Sequence, residues 1–268
     1  MLVLIALSHA QAGPNANGYL LLHTDDTLVY SSGTDYAGQS SRECDDDFIC
    51  PPYHDPACPD RKTTLDVASD RGSDIAIWWV LAAFPPDACP RGKGVTFGAR
   101  WDSPEQIVIV DSGMAGDFEI PTPDWPHASG SGTAVVWERT NLSQMFEVYW
   151  FAGYVPYGTA TFRLAPHPTQ GVAFADDAVP ANVDPIAEEH LATLGFNGAL
   201  GTNPYVDDPP GACCIDSDCR VLPQATCDAM DGMFQGAETE CEPNPCTATP
   251  VVESSWGTIK QSYRHRQP

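Results

Sequence analysis

The residue types used in serine and zinc chemistry are present in this sequence, but not at the spacings that such chemistry needs. Gly130-Ser131-Gly132 lacks the Gly-x-Ser-x-Gly pattern that places a catalytic serine on a sharp turn, and we interpret it as a flexible connection. No His-Glu-x-x-His pair and no paired Cys-x-x-Cys motif occurs, so zinc has weak support. We therefore predict a non-enzymatic protein, with a hydrolase whose residues converge only in space as the alternative.

Short acidic clusters are the candidate metal ligands, because calcium prefers oxygen ligands. None of them follows the twelve-residue loop of an EF-hand, and solvated acidic turns are the competing interpretation. No other cofactor is predicted. The calcium candidates are Asp45, Asp46, Asp47, Asp176 and Asp177, together with the pair Asp216 and Asp218.

Aromatic residues are concentrated in two stretches and are the candidate platform for a sugar ligand. Neighbours on a strand point to opposite faces, so Trp78 and Trp79 cannot both enter one core layer. One of the two could form an exposed platform, but we favour packing, with the outer ring covered by a loop, because large apolar side chains are mostly buried. The platform candidates are Trp78, Trp79, Tyr149, Trp150 and Tyr154.

Ten cysteines fall into two even groups, a pattern typical of disulfide-bonded proteins in an oxidising compartment. The first group is Cys44, Cys50, Cys58 and Cys89, and the second is Cys213, Cys214, Cys219, Cys227, Cys241 and Cys246. We expect one cysteine of the long irregular loop, residues 42–74, to bond with Cys89.

The adjacent cysteines Cys213 and Cys214 lie in a segment that we predict to be extended, where successive side chains point to opposite sides. A bond between neighbours would need strained geometry. We therefore predict different partners for them. One is Cys227, on a predicted helical turn over 224–231, and the other comes from the segment that holds Cys241 and Cys246. Six cysteines allow fifteen connectivities, so the complete set stays open.

The N-terminal residues predict export. Leu2–Leu7 is a short apolar run, and Ala10-Gln11-Ala12 is a small-residue cleavage site, although no Lys or Arg precedes the run. Residues 1–12 are accordingly predicted to be a signal peptide, with a mature chain that begins near Gly13. No stretch approaches the ~20 apolar residues of a membrane span. We expect a secreted protein, extracellular or at the cell surface.

The charge of the chain excludes some partners. It has 36 acidic and 13 basic residues, which gives a net charge of -23. Such a surface repels phosphate groups, so nucleic acid and anionic membranes are poor partners. A protein or glycan at the cell surface is the expected partner.

The elements that must position these residues are mainly strands. Ile75–Phe84 is an unbroken apolar run, 95–101 alternates between apolar and polar residues, and Ile107–Val110 is a third apolar run. Such patterns, rich in β-branched and aromatic residues, predict strands. We predict that these three form an antiparallel meander at the centre of a β-sandwich. In the middle strand, Val95, Phe97 and Trp101 should be buried, with Arg100 exposed.

Further strands are predicted on both sides of this centre. Tyr19–His23 and Thr27–Tyr30 should be the first two, and four more are expected between residues 134 and 175. Asp184-Pro185 has the N-cap and first-turn Pro of a helix, which Gly195 should end.

The fold class predicted is therefore mainly β: an antiparallel β-sandwich with one short helix, plus a small disulfide-rich module. The sandwich should span 13–201, followed by a linker over 202–210. The cysteine module should span 211–246, followed by a linker and basic tail over 247–268.

One strand pair resembles known binding domains. Gly94–Val110 contains an alternating strand, a Trp-Asp-x-Pro turn and a second strand, and it resembles cohesin-like and carbohydrate-binding β-sandwiches. The similarity covers fewer than twenty residues, and the Cys-bearing loop departs from it. It implies an extracellular, non-catalytic binding domain.

The C-terminal region resembles parts of other exported proteins. The segment that starts at Gly211-Ala-Cys-Cys214 is similar to a GACC-type module of uncharacterised secreted bacterial proteins, and Ser255–Arg264 is similar to their SWGxIKxxYR-like tail. The large domain likewise resembles a domain that accompanies them. We therefore predict a secreted binding or surface-architecture protein, with a carbohydrate-binding accessory module or an extracellular hydrolase as alternatives.

Overall fold

The computed structural model describes most of the chain. The residues described are 13–44, 57–85, 88–101, 106–205, 211–215, 218–222, 227, 230, 232–236, 239–242 and 244–246. The predicted signal peptide, the C-terminal tail, Asp216, Asp45 to Asp47 and Cys50 lie outside them. The chain divides into two compact units, Met1–Asp207 and Asp208–Pro268.

The regular secondary structure of the larger unit is almost entirely β-strand, as predicted. Its strands are β1 (Tyr19–Thr24), β2 (Ala68–Ser69), β3 (Ala76–Ala83), β4 (Gly92–Arg100), β5 (Val108–Met114), β6 (Phe118–Pro121), β7 (Gly132–Asn141), β8 (Met145–Tyr154), β9 (Ala160–Ala165), β10 (Ala173–Ala175), β11 (Val183–Pro185) and β12 (Thr193–Phe196). The helix α1 (Cys58–Thr63) lies between β1 and β2.

These strands form two sheets packed as a sandwich. The first sheet has the order β1-β3-β8-β5, and the second has the order β11-β10-β4-β9-β12-β2, with β7 also beside β4 and β6 beside β7. All of the pairs are antiparallel except β2 with β12. Every residue of β3 is buried, because this central strand is covered on both faces.

The predicted meander of three consecutive strands is wrong. β3 and β5 both belong to the first sheet, where β8 lies between them, whereas β4 belongs to the second sheet. The connections on either side of β4 therefore cross between the layers. A pattern of buried residues does not show to which sheet a strand belongs. β3 and β5 share a sheet because both pair with β8, which is distant in the sequence.

The register predicted for β4 is confirmed. Val95, Phe97, Ala99 and Trp101 are buried, while Arg100 is exposed. Strict alternation along a strand sends successive side chains to opposite faces, so one apolar set enters the core.

Aromatic rings fill the space between the two sheets. Trp78 stacks on Phe151 at 5.5 Å between ring centroids and meets Phe162 edge-on at 5.4 Å, and Trp101 stacks on Phe162 at 5.9 Å. Offset-stacked and edge-on pairs add stabilisation to the burial of apolar area. The inner face of the first sheet is thus packed by rings from both sheets.

The outer face of the first sheet is buried under irregular chain. We refer to residues 28–44 and 57–67 as the cover. Trp79 is buried beneath it, and its Nε1 donates to the backbone oxygen of Tyr36 at 2.8 Å. A disulfide joins Cys44 to Cys58 within the cover. Cys89 is also disulfide-bonded. Its predicted link to the loop stays a prediction, since part of that loop lies outside the described residues.

Three local predictions are wrong. The loop over 42–74, predicted to be irregular, contains α1 and β2. Residues 27–30 form a turn and irregular chain instead of a strand, and Val29 is largely exposed. The helix predicted after Asp184 is replaced by β11, a short 3-10 turn at Glu188–His190, and β12. Leu194 of β12 is buried and lies opposite Phe162 of β9, so tertiary context overrides the local helix signal. The α-helix described in the larger unit is instead α1, inside the cover.

The larger unit continues into the predicted linker. Thr202 pairs with Thr193 through backbone hydrogen bonds. Tyr205 is buried, and its hydroxyl lies 3.3 Å from Lys62 Nζ. Residues 202–205 are therefore packed against the sandwich.

The smaller unit contains a three-stranded sheet of β13 (Gly211–Ile215), β14 (Asp218–Leu222) and β15 (Met233–Phe234), in the order β14-β13-β15. Its disulfides are Cys213–Cys227, Cys214–Cys246 and Cys219–Cys241. The adjacent cysteines thus take different partners, as the strand geometry predicts. Most of the predicted helical turn around Cys227 lies outside the described residues. Within the described part of the chain, no helix has the length and apolar character of a membrane span.

Candidate binding surface

The calcium candidates that the structure describes in the larger unit are already bonded to protein groups. Asp176 is buried, and its carboxylate accepts the backbone N–H groups of Ala178 and Asn182 and the side-chain amide of Asn182. These bonds, that of the Asn182 side chain foremost, lower the pKa of Asp176. Asp176 thereby closes the turn before β11.

Asp177 is held by a charged partner. Both of its oxygens face the guanidinium of Arg91, and Thr140 donates to Oδ2 at 2.9 Å. The bond from Arg91 lowers the pKa of Asp177 to about 2. Among the described residues no group of three or more His, Cys, Asp or Glu side chains is arranged to hold a metal ion. The two carboxylates in this turn stabilise the fold.

The aromatic platform candidates are mostly inside the protein. Trp78 and Trp79 are fully buried, Tyr149 and Trp150 are 3% exposed, and Tyr154 is partly exposed. A buried ring offers no face to a sugar. Trp78 enters the core between the sheets and Trp79 lies under the cover, which confirms the packing interpretation for this pair.

Among the described residues, the serine of the small-residue turn is hydrogen-bonded to a backbone oxygen and to no base. The hydroxyl of Ser131 donates to the backbone oxygen of Ala128, and Gly130 adopts a positive φ of 89°. Both features are typical of a tight turn. The turn positions β7 and presents no nucleophile to a base.

A depression lies beside β5, at the edge of the first sheet. In the described part of the chain, β8 is the only strand partner of β5, so the other side of β5 is open. Residues 33–35 of the cover, residues 111–114 of β5, Glu119 of β6 and Trp150 of β8 line the depression. Its volume is about 430 Å³.

The depression is lined by acidic groups from three separate segments. Asp35 comes from the loop, Asp111 from β5 and Glu119 from β6, and no lining residue is basic. Gly113 lies directly over the indole of Trp150, where an added Cβ would approach Nε1 to 2.6 Å. Because Gly113 has no side chain, its backbone can lie close to the indole ring of Trp150.

Each carboxylate is oriented by a neighbouring donor. Trp150 Nε1 donates to Asp35 Oδ1 at 3.0 Å, and the Tyr30 hydroxyl donates to Asp111 Oδ2 at 2.9 Å. The bond to Asp111 raises the pKa of Tyr30. A carboxylate offers about four lone-pair positions, so these donors leave acceptor capacity for a ligand.

Glu119 is held by a bond from the neighbouring strand β7. Thr133 donates to its Oε1 at 2.8 Å. Tyr149 lies nearby, with its hydroxyl accepting from Trp125 Nε1 at 3.0 Å and 3.4 Å from Ser112 Oγ. Burial raises the pKa of Tyr149, and the negative charge of Glu119 raises it further. The phenol therefore stays protonated, and the depression carries its negative charge on carboxylates alone.

Apolar side chains are exposed on the same two edge strands. A bulge in β5 between Ile109 and Asp111 turns Val110 outward, with 39% of its surface exposed. On β6, Phe118 and Ile120 are more than half exposed, on the face opposite Glu119. We refer to β5, β6 and the acidic depression together as the edge surface.

Sequence reasoning missed the edge surface. Asp111 and Glu119 have no acidic residue directly beside them, and Asp111 follows the apolar run Ile107–Val110, which we assigned to a central strand. The available signal was the short run Asp117–Ile120, where acidic and apolar residues alternate. The topology, which leaves β5 at a sheet edge, could not be obtained from that pattern.

A second pocket carries positive charge. Arg100 of β4 and Arg163 of β9 are cross-strand partners, and both are exposed. Together with Glu188 they line a pocket of about 260 Å³. Like charges directly opposite each other destabilise a sheet, and neither guanidinium has an ion-pair partner within the described residues.

Comparisons with known proteins find only distant structural similarity. No family model matches the chain, and no curated protein matches it. Among solved structures, a cohesin module of a Clostridium perfringens family 33 glycoside hydrolase has 6% sequence identity and a TM-score of 0.37, covering 49% of this chain and 91% of that one. A type II cohesin domain from the cellulosome of Acetivibrio cellulolyticus has 9% identity and a TM-score of 0.35, covering 50% and 91%. We base no functional statement on similarity at this level.

Proposed function

We propose that this protein is an exported, non-enzymatic binding module that takes an extended, cationic segment of a partner protein along the open edge of β5. Its disulfides support export, because such bonds persist in oxidising compartments. The observation on which the proposal depends is an open strand edge lined with carboxylates from three segments.

An open edge offers unpaired backbone N–H and C=O groups to another strand. An extended peptide can add to such an edge, where main-chain hydrogen bonds supply affinity and side-chain contacts supply specificity. In the described residues β5 is seven residues long, which is enough for a stable addition. The bulge at Val110 limits the paired length on either side of it.

The charges at the edge favour one kind of partner. Asp35, Asp111 and Glu119 repel a second copy of the same acidic chain, whereas they attract lysine and arginine side chains. Acidic residues along an edge thus disfavour self-association and select a basic segment. A partner that extends over β6 would also cover Phe118 and Ile120.

The test uses the disulfide-intact protein and a synthetic peptide that alternates lysine and valine, about ten residues long. Binding is followed by fluorescence anisotropy. The variant carries Asp111→Asn and Glu119→Gln, which remove charge but keep the oxygens that accept from Tyr30 and Thr133. We expect the affinity to fall by about tenfold or more in this variant.

A matched control separates the edge surface from the overall negative charge. Asp60→Asn with Glu189→Gln removes the same charge at exposed positions on α1 and the 3-10 turn. This control should bind the peptide like the wild-type protein. Equal weakening in the two variants, or no binding by the wild-type protein, would contradict the proposal.

A second candidate function is supported by the pair Arg100 and Arg163. Two neighbouring guanidinium groups suit a carboxylate or sulfate, which arginine binds in a bidentate manner. An anionic sugar polymer is the corresponding ligand class, and the glycan alternative would use this pocket instead of the buried rings. Binding to an array of anionic glycans that is lost in Arg163→Gln would favour it.

A further inference from the structure

A buried carboxylate holds the beginning of the described chain. Asp184 lies on β11 with only 5% of its surface exposed. Its Oδ1 accepts the backbone N–H of Gly13 at 2.7 Å, and its Oδ2 accepts the backbone N–H of Asn15 at 2.9 Å. Both oxygens are therefore directed at the first residues of the larger unit.

The charge of Asp184 lacks a cation in the described structure. No Lys, Arg or His side chain of the described residues forms an ion pair with it. Burying a carboxylate is costly unless a positive charge or several hydrogen bonds compensate it. Two neutral amide groups compensate the negative charge only in part. A positive charge beside Asp184 would therefore be stabilised.

The approach of Gly13 to Asp184 depends on the absence of a side chain. A Cβ on Gly13 would lie 2.5 Å from Oδ2 and 2.7 Å from Oδ1. The segment is also fixed from the other side, because the side chain of Asn15 accepts from Arg91 N at 2.8 Å and donates to Arg91 O at 3.2 Å. The nitrogen of Gly13 is thus held at one position beside the carboxylate.

The sequence places a cleavage motif immediately before this nitrogen. Ala10-Gln11-Ala12 has the small-residue pattern at which signal peptidases cut. We propose that cleavage occurs between Ala12 and Gly13 and that the new α-ammonium group of Gly13 forms a buried ion pair with Asp184. Hydrolysis of this peptide bond releases Ala12 as a carboxylate and leaves the Gly13 nitrogen as an amine, which binds a proton below about pH 8.

Cleavage would then stabilise the folded chain as well as remove the signal peptide. A charged N–H donor makes shorter and stronger bonds to a carboxylate than an amide does. An ammonium also supplies three donors, where the amide supplies one. The mature chain should therefore be more stable than a chain in which Gly13 is still linked to Ala12.

The first test is the N-terminus of the protein exported by a bacterial host. N-terminal sequencing and intact mass should both show a chain that starts at Gly13. A start at any other residue would overturn the proposal.

The second test compares the chain 13–268 with the chain 12–268, which keeps Ala12 and so has an amide at Gly13. We expect the thermal midpoint of the larger unit to be about 4 °C higher for 13–268. The difference should vanish when both chains carry Asp184→Asn and persist when both carry the charge-matched control Glu189→Gln. A difference in thermal midpoint that persists when both chains carry Asp184→Asn would contradict the proposed ion pair.

Chemical reactivity of the amine gives a measurement that does not need a variant to fold. In the chain 13–268, the α-amine should be acetylated about tenfold more slowly in the native state than in urea, because the ion pair keeps it protonated and shielded. Equal rates in the two states would show that the amine is free, against the proposal.

Discussion

The two faces of the first sheet are buried by different means. The inner face is packed by rings, with Trp78 held among Phe151, Phe162 and Phe196. The outer face is buried by the cover, whose irregular backbone has polar groups that no regular strand pairing satisfies. Side chains of the sheet or the cover must supply those partners.

Three buried polar side chains connect the cover to the first sheet: Glu147 and His23 accept from backbone N–H groups of the cover, and Lys62 of the cover donates to the backbone just after β3. Glu147 accepts the backbone N–H groups of Gly38 and Ser40, and burial raises its pKa. Lys62 donates to the backbone oxygen of Phe84 at 2.7 Å. His23 accepts from the backbone N–H of Asp66 at 3.1 Å. The inner face thus depends on apolar packing, whereas the outer face depends on specific polar contacts and a disulfide.

Adjacent tryptophans give the sharpest test of this difference. Trp78→Ala should lower the free energy of unfolding by about 4 kcal/mol, because it leaves a large cavity between the sheets. Hydrogen exchange should then rise in the strands of both sheets. Trp79→Ala should instead raise exchange mainly in the cover, through local opening. The same exchange pattern in both variants would mean that the two faces form one cooperative unit.

The disulfide within the cover should stabilise the cover by reducing the conformational entropy of the unfolded chain. Cys44 and Cys58 are 14 residues apart, a loop for which the chain-entropy estimate is about 3 kcal/mol. The double variant Cys44→Ser, Cys58→Ser should therefore unfold at lower urea concentration, with increased exchange confined to the cover. Exchange that spreads through β4 and β9 would contradict this.

Acid should weaken the outer face first. Burial, together with the charge of Arg42, lowers the pKa of His23 to about 4. The unfolded chain binds this proton near pH 6.5, so stability is present above that pH and is lost as the pH falls towards 4. The free energy of unfolding lost through His23 is about 3 kcal/mol at most.

Urea unfolding at several pH values between 4 and 7 measures this loss. The variant His23→Gln keeps a hydrogen-bonding side chain but has no titrating group, so its stability should change less over the same range. Parallel pH profiles of the wild-type protein and the variant would exclude His23 as the cause.

The smallest expected effect concerns the two indole N–H groups. Trp79 Nε1 donates to Tyr36, whereas Trp78 Nε1 is buried and has no hydrogen-bond partner among the described residues. Trp79→Phe should therefore cost about 1 kcal/mol more than Trp78→Phe, since it leaves the Tyr36 oxygen unsatisfied. Denaturant midpoints of the two variants check this, and the reverse order would contradict it.

The sequence predicted the features that depend on local pattern. Alternation in 95–101 specified the buried face of β4, and the adjacency of Cys213 and Cys214 specified that they take different partners. Both follow from the geometry of one strand. The pairing of β3 with β8 could not be predicted, because it joins residues about seventy positions apart by contacts that leave no local trace.

The same limit applies to the candidate site. Asp35, Asp111 and Glu119 are brought together by the order of the strands and by the path of the cover. None of them differs in its sequence surroundings from a solvated acidic residue. The aromatic residues were the more conspicuous sequence feature, but their size favours burial, and four of the five candidates are buried.

Hydrogen exchange of β5 with the lysine–valine peptide present is the most direct test of the proposed binding edge. If the peptide adds as a strand, amides of Val108–Met114 that face the open side should gain protection, while those of β1, at the opposite edge of the sheet, stay unchanged. Protection of β5 that disappears in the Asp111→Asn, Glu119→Gln variant is the result we expect. Peptide binding that leaves the exchange of β5 unaltered would contradict the proposed edge.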